Sequence, residues 1–218
     1  MLGTIKKERR ISTRLQRLIE TGENEMLDFK KEITDVNKIA KTIVSFANHK
    51  GGTILVGVND DKTLHGVNAE EEKHMLNRAA ELYCNPQIEI EMSEHAVGKK
   101  SILEVVIPSG TQKPYYAKGE DEKWGATIRV KDQSILASKV LIEVLKRENR
   151  QQQTLIKYSS KEQALLNYLD KTESITLKEF CRLQNISRRS AQVILVNLVS
   201  IGVLRLHSDE KEDFFSLR

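Results

Sequence analysis

The sequence is poor in the residues that staple, stiffen or anchor a chain. It has two cysteines, three prolines, one tryptophan and 5% aromatic residues. Cys84 and Cys181 stand far apart, with no CxxC pair and no Cys/His cluster, which excludes a disulfide framework and a structural zinc site of ordinary ligand spacing. The five histidines form no metal-spaced pair, and no Ser/His/Asp arrangement follows from spacing. Long apolar runs are missing too: Thr53 to Val58 is far short of the ~20 residues that cross a bilayer. No basic stretch followed by an apolar one opens the chain, so the expectation is a cytoplasmic protein without a membrane partner. Net charge is only +4, which excludes a polycationic tail.

What is present is a globular mixture. With 39% hydrophobic and 30% charged residues in 218, the chain can bury one large core or two ordinary ones. Basic charge is local: Lys6, Lys7, Arg9, Arg10, Arg14 and Arg17 meet only Glu8 in the same stretch. That patch suits either a solvated helix face or a phosphate contact.

Periodicity organises the rest. Ile11, Leu15, Leu18 and Ile19 predict a helix ending at Gly22, and Met26 to Lys30 alternates as a half-buried strand with Leu27 and Phe29 on one face. Val36 to Ala47 predicts a second helix, closing at Asn48. Thr53 to Val58 is a branched, continuously apolar strand covered on both faces, and Asn59 to Lys62 turns the chain into a returning strand from Leu64 to Val67. A third helix is expected from Glu70 to Cys84, stopped by Asn85-Pro86. Ile88, Ile90 and Met92 alternate with polar residues and lead into a hairpin returning through Ser101 to Ile107. A strand near Ala126 to Lys131 and a helix near Leu136 to Arg150 follow. Strands and helices interleave with hairpins, so the fold class is α/β, of α+β type, with a mixed sheet and flanking helices.

Gln151, Gln152 and Gln153 mark a linker, so the expected domains are 1–150 and 151–218. The second shows helices through Leu165 and Leu169, from Leu177 to Leu183 and from Ser187 to Ser200, then a hairpin returning through Phe214 and Phe215. Three helices and a hairpin make a winged helix-turn-helix pattern.

Three blocks in order carry a resemblance: Glu23 to Lys30 with Asp28-Phe29-Lys30 at its end, Ser45-Phe46-Ala47-Asn48, and Gly51-Gly52-Thr53 through Gly57-Val58-Asn59-Asp60. Together, over about Leu15 to Lys131, they resemble the Schlafen-type AlbA family of nucleic-acid-binding domains. In bacteria such domains often precede a winged helix in transcriptional regulators. The resemblance therefore implies a DNA-binding regulator, with DNA favoured over RNA. A single winged helix reads a half-site, so a homodimer is expected.

Candidate contacts follow from residue type. Gly51 and Gly52 lie between a helix end and a buried strand, where positive φ or close backbone approach is needed. They follow a helix and lack a Gly-Lys-Ser/Thr, so they are not a P-loop. Lys30, Lys50, Arg129 and Lys131 are the phosphate candidates of the first domain, and Pro114-Tyr115-Tyr116 could offer a ring for base stacking or simply close a core edge. Arg188, Arg189 and Gln192 open the expected recognition helix. The hairpin tip carries Asp209, Glu210, Glu212 and Asp213 around Lys211, a sign that repels phosphate.

No cofactor is expected on this reading. The rival is enzymatic: the resemblance extends to Schlafen ribonucleases, in which acids matching Glu23, Asp28 and Asp60 bind a divalent ion, Mg²⁺ or Mn²⁺, and support RNA cleavage. Here Asp28 stands where that family has glutamate, one methylene short. A third reading, behind both, makes the first domain an ATP or nucleotide sensor.

Overall fold

The computed structural model describes residues 12–150 and 159–218. The expected cationic residues Lys6, Lys7, Arg9 and Arg10 and the Gln151 to Gln153 linker lie outside the described residues. The chain forms two compact units, one of residues up to 110 together with 115–135, the other of 111–114 together with residues from 136 onward.

The first unit runs α1 (Thr13–Thr21), β1 (Leu27–Lys30), α2 (Val36–Asn48), β2 (Gly52–Val56), α3 (Ala69–Leu82), β3 (Cys84–Asn85), β4 (Glu91–Val97), β5 (Lys100–Ile107), β6 (Tyr116–Lys118), β7 (Trp124–Gly125), β8 (Thr127–Val130) and β9 (Gln133–Leu136). Side chains start the helices: Ser12 Oγ accepts the Leu15 N–H at 3.2 Å, and Asp35 Oδ1 accepts the Asn37 N–H at 2.7 Å, which satisfies donors that a helix start leaves open. Gly22, at φ 79, ends α1.

The main sheet has the order β1-β2-β5-β4, with β1 parallel to β2 and the other pairs antiparallel. It is mixed, as the interleaved pattern requires. Strand alternation gives it two buried faces. Ile54, Val56, Leu103 and Val105 pack with Ile43 and Phe46 of α2 and Leu76 of α3. Leu55 and Ile102, with Leu27 and Phe29, pack under Leu15 and Ile19 of α1. Arg14 of α1 also pairs with the buried Glu104 at 2.6 Å, and Glu104 meets His95 Nε2 at 3.0 Å.

Several expected bounds shift. No strand runs from Leu64 to Val67; only the bridges Val58–Leu64 and Val67–Ser101 form, because Gly57 and Gly66 turn the chain at φ 100 and 65. The segment before Glu91 is not strand, and Cys84 leaves α3 to pair with Ala117.

Gly52 shows why the turn after α2 excludes side chains. A Cβ there would sit 2.3 and 2.4 Å from two ring carbons of Phe46, which is itself fully buried. Gly52→Ala is expected to cost about 1–3 kcal/mol through overpacking, read as a lowered urea midpoint; an unmoved midpoint would mean that the Phe46 ring yields.

The second unit runs α4 (Lys139–Arg150), α5 (Ser160–Leu169), β10 (Ile175–Thr176), α6 (Leu177–Gln184), α7 (Arg188–Ser200), β11 (Leu204–His207) and β12 (Phe214–Leu217). Its antiparallel sheet has the order β10-β12-β11. Capping boxes at Ser159/Glu162 and Thr176/Glu179 start α5 and α6, and Asn185, left-handed at φ 47, closes α6. The expected division at 150 is corrected here. Val140 and Val144 of α4 bury in the core of Leu165, Phe180, Leu195 and Phe215, so the helix placed with the first domain belongs to the second unit. Among the described residues, no helix is long and apolar enough to cross a membrane.

Candidate nucleic-acid interface

The three acids do not converge on a metal. Glu23 Oε1 accepts the Phe29 N–H at 2.8 Å, tying the loop after α1 to β1. Asp28 is 3% exposed; its Oδ1 takes a charge-assisted bond from Arg129 Nη2 at 2.7 Å, and Lys30 Nζ pairs with its Oδ2. Asp60 is exposed in the turn beyond Val58. Among the described residues no three His, Cys, Asp or Glu side chains form a group that could hold a metal ion. With Asp28 already neutralised by two cations, the set does not fit Mg²⁺ or Mn²⁺.

Arg129, expected to touch phosphate, is instead structural. It is 3% exposed, with its guanidinium carbon 4.8 Å from the Phe46 ring centroid. Besides Asp28 it reaches the Asn24 and Leu27 carbonyls at 3.4 Å and Ser134 Oγ at 3.3 Å. It stitches β8 to β1 and α2 from within. Lys131 lies beyond β8, exposed, at φ 54, so it does not continue the strand face of Arg129.

The Ser45 to Asn48 block at the end of α2 has the same character. Asn48 Nδ2 donates to the Tyr115 and Thr127 carbonyls at 2.9 Å, and its Oδ1 accepts the Tyr115 N–H at 2.7 Å. Tyr115 is buried rather than free to stack on a base, while Tyr116 is half-buried.

Of the remaining first-unit candidates, Lys30 and Lys50 fall at opposite ends of the β1–β2 pair, since Lys30 aligns with Val56 and Leu27 with Thr53. Gly51 is pinned, because a Cβ would lie 2.6 Å from the Ile107 carbonyl. Lys50 and Gly52 are brought together with other residues around an open space: a cleft of about 410 Å³, with Leu18, Met26 and Ile107 on its walls. Its charge is a single exposed lysine, and its apolar walls offer little to a phosphate chain.

The second unit concentrates cations. Ser187 Oγ accepts the Ser190 N–H at 3.2 Å and starts α7, leaving Arg188 and Arg189 exposed in the first turn and Gln192 half-buried one turn on. Ala191, Ile194, Leu195 and Leu198 face the core. The opposite face is partly covered. Val196 is only 2% exposed, and it shares a crevice of about 360 Å³ with Arg189, Gln192 and Val193 on α7 and Glu143 and Arg147 on α4. Arg147 Nη1 also donates to Asn197 Oδ1 at 2.6 Å. Helix α4 therefore packs along one side of α7, leaving Arg188, Arg189 and Val193 exposed.

Sequence reasoning missed Lys139, Lys178 and Lys211, which surround the Arg188 end of α7. The signal present was the apolar spacing of Val140, Leu141, Val144 and Leu145, which declares a buried stripe but not the core that receives it. Lys211, with exposed acids on either side, sits at the hairpin tip, and Asp213 is bonded to Ser138 Oγ. Burial raises the Asp213 carboxyl above the ordinary carboxylate range, against the lowering effect of its bonds to Ser138 and Ser208.

His207 braces the same hairpin. It stacks on Phe214 with centroids 4.7 Å apart and meets Ser216 Oγ at 2.9 Å. Burial and then Arg205 lower its pKa from the ordinary imidazole value. The folded hairpin thus prefers the neutral ring, so its stability is whole above the ordinary value and is lost as pH falls through the lowered one. An NMR titration of the ring protons is expected to give a midpoint below that of a peptide histidine; a midpoint at or above it would refute the assignment.

Residues 23–138 match the family model described as Schlafen, AlbA_2. No curated protein is similar to the chain at a significant level. Similar solved structures include the DIP2311 protein from Corynebacterium diphtheriae, at 14% identity and a TM-score of 0.45, covering 93% of this chain and 37% of that one. The N-terminal domain of a RecG-related protein from Nitrosomonas europaea is 22% identical with a TM-score of 0.40, covering 65% of this chain and 94% of that one. The chain thus spans 37% of the length of the first of these.

Proposed function

The chain belongs to the Schlafen AlbA_2 family, and from that premise we propose that it binds nucleic acid as a transcriptional regulator whose ligand is duplex DNA. In this reading the second unit is a winged helix. Its order of helix, short strand, two helices and hairpin, with the first strand closing the sheet as β10-β12-β11, supports that assignment. The observation that carries the proposal is the pair Arg188 and Arg189, exposed on the first, Ser187-capped turn of α7. Two guanidinium groups beside open backbone N–H groups suit phosphate and guanine edges.

The covering of α7 by α4 shapes the mode of contact. The helix meets DNA by its first turn, end on, rather than along its length. One such turn reads few bases, so a second copy on a neighbouring half-site belongs to the proposal. The acidic hairpin tip stays off the backbone.

The test is fluorescence anisotropy of the full chain with random duplex DNA, single-stranded DNA and structured RNA across a salt series, with Mn²⁺ present and products run on a gel. Duplex affinity should fall steeply with salt, every strand should stay intact, and Arg188→Ala with Arg189→Ala should reduce the log–log salt slope by about 2. An unchanged slope in the double variant would remove α7 from the interface. Binding of RNA alone, or cleaved RNA, would overturn the regulator.

A further inference from the structure

Beside the α4–α7 crevice lies a second cavity, of about 680 Å³. Three helix starts and the hairpin enclose it: Lys139 and Val140 of α4, Leu177 and Lys178 of α6, Arg188 of α7, and Lys211, Glu212, Asp213 and Phe215 of the hairpin. Its volume falls within the range of small-molecule sites.

Two features define what would fill it. The first is charge. Lys139, Lys178, Arg188 and Lys211 line it from four separate elements, against two carboxylates, Glu212 and Asp213. Asp213 is already engaged by Ser138, and its burial weakens its hold on a negative charge, so the balance inside is positive. The second is the apolar wall. Leu177 and Cys181 are half-buried on it, and the core residues Val140 and Phe215, 4% and 0% exposed, lie beneath its surface. A phosphate backbone, polar and convex, would satisfy the cations but leave that wall wet. A small molecule with an apolar body and one acidic group satisfies both.

We infer that this cavity is a binding site for a small amphipathic anion, an aromatic or aliphatic acid or phosphate ester whose body rests on Leu177 and Cys181 and whose charge meets Lys139, Lys178 and Arg188. Arg188 belongs both to this cavity and to the proposed DNA-contacting turn, and Gln192, one turn on, lines the cavity as well. Resting on that functional reading, occupancy of the cavity and duplex binding exclude each other, which makes the ligand an effector of release.

The probe is 8-anilinonaphthalene-1-sulfonate, titrated into the folded full chain by fluorescence, with calorimetry for stoichiometry. One saturable site is expected. Lys139→Glu with Lys178→Glu, both exposed and neither among the proposed DNA contacts, should weaken it by about tenfold or more, because each reversal turns attraction into repulsion. Lys50→Glu, in the first-unit cleft, should leave it unchanged. Absence of saturable binding, or loss in Lys50→Glu without loss in the double reversal, would overturn the site. Inorganic phosphate should displace the probe only at far higher concentration; equal competition would overturn the apolar part. In the second arm the probe should raise the duplex dissociation constant, and an unmoved constant would overturn the coupling. If the chain binds no duplex but the probe binds as described, the regulator falls and the cavity stands.

Discussion

Asp28→Ala should lower the unfolding free energy of the first unit by about 3–5 kcal/mol, the range for removing one partner of a buried ion pair. The substitution deletes the carboxylate that accepts Arg129 at 2.7 Å and leaves that guanidinium 3% exposed, under the Phe46 ring. The carbonyl contacts at 3.4 Å are too long to replace a charge. Lys30, which pairs with the other oxygen, is half-exposed and turns to water when the acid is gone. A double variant, Asp28→Leu with Arg129→Met, removes both charges together and should recover much of the loss, since apolar replacement of a whole buried pair is often neutral or better. Urea unfolding of the three proteins decides it. A loss below about 1 kcal/mol for Asp28→Ala, the scale of an exposed pair, would show that water reaches Arg129 and that the pair is not a buried one. The result also separates two roles for Asp28. A metal ligand would leave stability almost untouched when removed.

The division between what the sequence disclosed and what it hid follows the range of the interactions. Local signals were legible: the alternation of Leu27 and Phe29, the end of α1 at Gly22, and the glycine demand after α2, where Gly51 proves to be at φ 81. The mixed sheet was also legible, because hairpins alternate with helices. Partnerships over long separations were not. Nothing in the spacing of Asp28 and Arg129 announces a bond across the unit, and an arginine on an alternating strand looks the same whether it faces solvent or a buried acid. Likewise Val140 and Val144 mark a buried stripe, but only the fold shows that the stripe covers α7 rather than the first-unit sheet. This is why the expected phosphate set of Lys30, Lys50, Arg129 and Lys131 does not assemble as one patch, and why Arg188 and Arg189, adjacent on one helix, line different cavities that share Gln192. The family signature was visible as a pattern, and its physical content is mostly internal.

Asn48→Ala tests that last statement directly. Asn48 is 2% exposed at the end of α2 and holds two distant segments, Tyr115 through its N–H and carbonyl and Thr127 through its carbonyl. Alanine removes all three bonds without filling the space of the amide. Each buried polar group deprived of a partner costs about 1–3 kcal/mol, so a loss of several kcal/mol is expected, comparable to that of Asp28→Ala. Asn48→Asp keeps the acceptor for the Tyr115 N–H but turns a charge toward two carbonyls, and it should fare no better. The functional readout is the opposite. At a temperature where the variant is still folded, its affinity for duplex DNA per folded molecule should equal that of the parent, because Asn48 braces the scaffold and touches no ligand. A variant that stays as stable as the parent while losing nucleic-acid affinity would place Asn48, and with it the motif it belongs to, at the interface instead of in the frame.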